Sequence, residues 1–246
     1  DFQNPYTRSH PLTKERINDA RNAAKNENCE EFKGEINHID KLKYIQAKLN
    51  GFMDPKKTIE TVGSLKYFND DHKKYALAIA NYKLFNLKEG NDLINQLIQK
   101  YPNNPYFYEL KAQMLRENGN LNSALENYLK AIKVAPNDSL ILIELAQTQI
   151  NFNSHNYSFE AIQNLKKASL NENENQKLWY LLSVAYGRNR EMGKSRYASA
   201  YSEYLKGNDG SALNFIKKAK KITKKNSVDW YKIEDLENRI KAKIKK

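Results

Sequence analysis

The chain has 246 residues, 40% apolar and 28% charged, with only nine glycines and six prolines, the sparing use of turn residues expected of a helical protein. No window approaches the roughly 18 consecutive apolar residues that a membrane-spanning helix needs. A single cysteine, Cys29, excludes an intramolecular disulfide. The net charge of +12 is uneven: residues 211–246 hold twelve Lys or Arg and four Asp or Glu, a net of +8.

Taken in chain order, the first 34 residues carry a turn, Ser9-His10-Pro11, that leads into a charged helix start. They hold no apolar run and no layout of a signal peptide. From about Glu35 the apolar residues Ile36, Ile39, Leu42, Ile45 and Leu49 predict one helix. Gly51 is expected to turn the chain, and Asp54-Pro55 to open the next helix, with Asp as cap and Pro in the first turn.

A repeat of 34 residues then begins. Residues 71–104 and 105–138 align without a gap: Ala78 with Ala112, Gly90 with Ala124, Ile94 with Tyr128, Leu97 with Ala131, and Pro102 with Pro136. Ala146 keeps the step. Each unit predicts a helix, a turn and a second helix. Small residues let two antiparallel helices approach closely, Tyr128 fills the space beside them, Gly119 permits the turn and Pro136 ends the second helix. This spacing resembles the tetratricopeptide repeat.

In the third unit Leu145, Ala146, Ala161, Leu165 and Ala168 carry the pattern, with a three-residue insertion expected in the turn near residues 151–158. A fourth first helix holds Trp179, Leu182, Ser183 and Tyr186. From Gly193 the small positions are Ala200, Gly207, Ala212 and Ala219, so the helix at residues 194–206 is expected to serve two units. A last helix with Trp230, Ile233, Leu236, Ile240 and Ile244 on one stripe caps the array. The fold expected is all-α: a right-handed superhelical solenoid of helix-turn-helix tetratricopeptide repeats, with about ten to twelve helices.

Catalytic motifs are absent from the sequence. The four histidines, His10, His38, His72 and His155, lack metal-ligand spacing, and there is no HExxH, GxGxxG, Walker loop or GxSxG. A groove is the alternative to a catalytic site. First helices of successive repeats are expected to line the concave side, which places His72, Tyr75, Tyr82, Tyr106, Gln113, Gln147, Tyr180, Arg188, Tyr197, Tyr201 and Tyr204 there. Tyrosine offers a large apolar body with a polar tip, which suits recognition of a protein or peptide. The Asn positions of a carboxylate clamp are occupied by Ile79, Gln113, Gln147 and Val184, so capture of a C-terminal carboxylate is not expected.

The opening stretch gains meaning from a second resemblance. Ser9, His10 and Pro11, followed by Glu15, Arg16 and Ile17, resemble the last motif of the catalytic domain of BepA-like, HtpX-related bacterial zinc metallopeptidases. Residues 102–110 and 179–188 also look like repeats of that family. The resemblance implies that residues 1–34 are the tail of a peptidase domain and residues 35–246 a tetratricopeptide array with a capping helix. The zinc-binding helix would lie upstream of Asp1, so no enzyme activity and no cofactor are expected of this chain itself. In the intact parent His10 would lie near the zinc. The resemblance further implies a periplasmic location, outer-membrane proteins or their assembly machinery as partners, and docking on the catalytic domain. No nucleic-acid partner is expected from it. The alternative left open by the charge is a free-standing basic scaffold that binds RNA or an anionic surface through residues 211–246.

Overall fold

The computed structural model describes residues 36–244. Ser9, His10, Pro11, Glu15, Arg16, Ile17 and Cys29 lie outside the described residues. The chain divides into two compact units, residues 1–47 and 48–246. Helix α1 (Ile36–Met53) runs across that division, and the second unit carries the repeats.

Among the described residues there are twelve α helices and no strand. After α1 come α2 (Pro55–Thr61), α3 (Asp70–Lys83), α4 (Leu87–Lys100), α5 (Pro105–Glu117) and α6 (Leu121–Val134). The remainder are α7 (Ser139–Asn151), α8 (His155–Ala168), α9 (Gln176–Arg188), α10 (Met192–Leu205), α11 (Asp209–Ile222) and α12 (Val228–Ile244). Helix starts are fixed by side-chain caps. Asp54 accepts from Lys57 N at 3.2 Å, Asn69 from His72 N at 2.9 Å, Asn104 from Tyr106 N at 3.0 Å and Asp138 from Ile141 N at 3.1 Å. Part of the heavy Asn usage therefore serves to satisfy the orphan N–H groups of helix starts.

The period is written most plainly in the backbone. Phe85, Gly119, Asn153 and Arg190 all have positive φ, and each is the middle residue of the turn inside a repeat. Gly119 N bonds Arg116 O and Asn120 N bonds Leu115 O, the paired bonds of a Schellman turn. The steps between these four positions are 34, 34 and 37 residues. The three extra residues thus fall after α8, in the connection at residues 169–175, and not in the turn before it as the sequence suggested. Helix α8 keeps the ungapped register. Ser158, not Ala161, stands in the place of Gly90 and Ala124, buried, with its hydroxyl donating to Ser154 O at 2.8 Å.

A second difference concerns Gly51. It does not turn the chain but lies inside α1, pressed against α3: a Cβ there would meet Ile79 Cβ at 2.7 Å and Ala76 O at 2.8 Å. The glycine is a point of close helix approach.

The small positions do what their spacing requires. Gly90, Ala124, Ser158, Ser195 and Ala212 are each the fourth residue of a second helix, and all are buried. Around them the core forms a continuous series. Ala112, Tyr128, Ala131, Ile141 and Leu145 join α5, α6 and α7, and a larger cluster from Leu142 to Ala198 joins α7 through α10. Each Leu or Ile so buried contributes on the order of 1.5–3 kcal/mol. Helix α10 packs against both α9 and α11, the double role that the sequence register predicts. Ser195 Oγ donates to Ser183 O of α9 at 2.8 Å, while Ala200 and Tyr201 pack against Ala212 and Ile216 of α11. Ile233, Leu236 and Ile240 of α12 close that last cluster.

Candidate functional site

Successive first helices touch, α5 with α7 and α7 with α9, whereas the second helices of those repeats stand apart. A stack that is tighter on one side curves toward it, so the first helices form the inner wall of the repeat unit. Polar contacts stitch that wall. Arg116 of α5 pairs with Glu144 of α7 at 2.7 Å, and Lys177 of α9 pairs with the other carboxylate oxygen of Glu144. Burial pushes the Glu144 carboxyl upward, but the Lys177 and Arg116 hydrogen bonds and charges outweigh it and hold the group below its ordinary value. Arg188 donates to Ile150 O at the end of α7, a carbonyl that also accepts the turn N–H of Asn153 at 3.0 Å.

At the C-terminal end of the unit the wall opens into a groove of about 490 Å³ between α8, α9, α10 and α12. Its floor is aromatic. Trp179 stacks on Tyr201 with ring centres 4.2 Å apart, and Tyr197 meets Trp179 edge-on at 5.9 Å. Trp179 Nε1 donates to Asn173 O at 2.6 Å, which fixes the indole from its far end. Burial pushes the phenols of Tyr186 and Tyr197 up to about 12, so both stay neutral at physiological pH. The rim is charged: Lys166 and Lys194 face Asp229, Lys232, Asp235 and Arg239 from α12. An apolar floor that can hold a side chain, within a rim of both signs, suits an extended polypeptide better than a single-sign ligand.

The sequence-derived wall residues divide into three groups. Tyr197 and Tyr201 line this groove, and Tyr204 packs edge-on beside Tyr201 at 6.0 Å. Tyr106 and Tyr180 are more than half exposed, with Tyr106 Oη donating to Asp138 at 3.3 Å. All of the others except Gln147 are engaged within the fold. His72, 1% exposed, closes the cap of α3 by accepting from Asn69 N at 3.2 Å, and Tyr75 is buried with its ring 5.5 Å from that of Phe107. Tyr82 donates to Glu117, as does Gln113 Nε2 at 2.8 Å, while Gln147 is half-buried and Arg188 caps α7 as described. His72 and Tyr75 therefore belong to the core rather than to an open face, because α3 is covered on the side they occupy.

Sequence reasoning missed the rim residues of α12. Their signal was present: Asp229, Lys232, Asp235 and Arg239 recur every three or four residues, one face away from the apolar stripe of Ile233, Leu236 and Ile240. It also treated Trp179 as a packing residue and passed over Glu109, Arg116, Glu144 and Lys177. Among the described residues no group of three His, Cys, Asp or Glu side chains could hold a metal ion, and no helix is long and apolar enough to cross a membrane.

These features define an all-α solenoid of the tetratricopeptide type. The same arrangement is found in solved structures of MamA, itself a tetratricopeptide-repeat protein. The MamA RS-1 ArsTM double mutant matches with a TM-score of 0.53 at 14% identity, over 71% of this chain and 98% of that one. Another crystal structure of MamA matches with a TM-score of 0.51 at 16% identity, over 68% of this chain and 97% of that one. At such identities the likeness is one of fold. No protein-family model matches the chain, and no curated protein matches its sequence.

Proposed function

We propose that this chain is a protein–protein interaction scaffold without catalytic activity of its own, and that it captures an extended polypeptide segment in the Trp179–Tyr201 groove. The observation that carries the reading is the groove itself, an aromatic floor inside a rim of both charges. The tetratricopeptide architecture supports it, since stacked first helices offer a long continuous wall.

The finer proposal follows the resemblance at residues 9–17, 102–110 and 179–188. In it the scaffold is the C-terminal part of a periplasmic zinc metallopeptidase of the BepA-like group, and it recruits outer-membrane proteins or their assembly machinery. Zinc would then be held by residues outside this chain. The alternative, an RNA- or surface-binding basic scaffold, has less support: Lys220, Lys241 and Lys243 are tied to Glu237 and Asp209.

A photo-crosslinking amino acid placed at Tyr180 or Lys232, in cells producing the protein, tests the proposal. Specific crosslinks to an outer-membrane protein or an assembly factor are expected at Lys232, on the groove rim. Crosslinks to RNA alone, or labelling no stronger than at an outward position such as Lys130, would overturn it.

A further inference from the structure

We infer that the groove between α11 and α12 is a second docking surface, and that its occupant is an acidic amphipathic helix of a partner protein. The groove has a volume of about 490 Å³ and shares no lining residue with the Trp179 groove. Its floor is aliphatic, formed by Leu213 and Ile216 one turn apart on α11. Its rim is cationic, with Lys217, Lys220 and Lys221 on α11 and Lys241 on α12.

One carboxylate lies among these four lysines, and it is already shared. Glu237 pairs with Lys220 at 2.5 Å and also with Lys241, and the hydrogen bonds from Lys220 and Lys241 hold its carboxyl below the ordinary value. Glu234 gives Lys220 a second, longer contact at 3.7 Å. Lys217 and Lys221 are exposed and pair with no carboxylate among the described residues. The dipole of α11 accounts for Lys221, in its last turn, but not for Lys217 one turn earlier. The rim therefore has two positive charges to spare beside an apolar floor.

An acidic amphipathic helix answers both features. Lys217 and Lys221 are four residues apart, about 6 Å along α11, which is the spacing of carboxylates at i and i+4 on a docked helix. Leucine-like side chains beside those carboxylates fill the floor, as a third helix packs into the groove of two others. RNA fits less well. No aromatic ring lines the groove for a base to stack on, and the Glu237 carboxylate opposes a phosphate there.

The inference does not depend on the Trp179 groove. Fluorescence anisotropy of the protein with a labelled leucine–glutamate amphipathic peptide tests it. Three further probes accompany that peptide: one with glutamine for every glutamate, one with serine for every leucine, and oligouridine. The leucine–glutamate peptide is expected to bind at least about tenfold more tightly than each of the three, the difference that one charge-assisted contact or one buried leucine makes. The double variant Lys217→Gln/Lys221→Gln is expected to lose the preference for glutamate over glutamine with little change in melting temperature, since both side chains are exposed. Equal affinity for the glutamine or the serine peptide, tighter binding of oligouridine, or an unaltered glutamate preference in the double variant would each overturn the inference. The Trp179 groove would survive that result, because its crosslinks are read at Lys232.

Discussion

Single residues in this protein carry opposite kinds of constraint. Gly51 has no room for a methyl group, because Ile79 and Ala76 lie within 2.8 Å of where it would sit. A Gly→Ala change inside a helix ordinarily stabilises by about 1 kcal/mol. Here the overlap dominates, and Gly51→Ala is expected to destabilise by about 2 kcal/mol, seen as a lower urea midpoint. Phe85 shows the reverse case. It holds φ at 64° with its ring 84% exposed, where the equivalent residue of the next repeat is Gly119. Phe85→Gly is expected to raise stability by about 1 kcal/mol by removing the left-handed strain, whereas Phe85→Ala keeps that strain and should not. Equal melting temperatures for the two variants would show that strain is not the cause.

Among the elements, α9, α10 and α12 depend on one another through the aromatic cluster. Tyr201 reaches the groove floor with one edge, as its sequence position suggests, but most of its ring is buried against Trp179 and the last helical core. Tyr201→Ala is therefore expected to cost about 3 kcal/mol and to speed amide exchange in α10 to α12. Tyr180→Ala should change stability by less than about 0.5 kcal/mol, since that ring is exposed. Thermal denaturation of the two variants distinguishes a packing role from a surface role. The sequence could not separate these tyrosines, because a 3.6-residue period identifies a face but not what covers it. The fate of Tyr201 depends on α12 returning across α10, which is a tertiary event.

At the scale of the whole repeat unit, the ion pairs of the inner wall contribute to the response to acid. Glu144 has its carboxyl held below the ordinary value of 4.5, so its contribution is complete above that value and is lost as pH falls through the lowered one. Glu109 is raised, so its ionised form opposes folding at neutral pH and protonation on acidification relieves it. Glu144→Gln is thus expected to lower the urea midpoint at pH 7 and to lose less on going to pH 3.5 than the wild type. Glu109→Gln is expected to be neutral or stabilising at pH 7. Midpoints at the two pH values check both signs, and a loss of stability in Glu109→Gln as large as in Glu144→Gln would contradict this account.

The sequence by itself determined the class of fold, the 34-residue step and the helix that serves two repeats. Those follow from local chemistry: small residues where helices cross, Asn and Asp where N–H groups need acceptors, and a glycine at the turn of the best-kept repeat. It also placed three extra residues near the right repeat but on the wrong side of α8, because Ser158 is as small as the alanine expected there and either register satisfies the apolar period. Only the tertiary structure decided that Gly51 is a contact rather than a turn, that His72 and Tyr75 are core, and that α12 contributes the charged rim of the groove. Each of those outcomes depends on which helix lies alongside, a relation between residues far apart in the chain that no local pattern encodes.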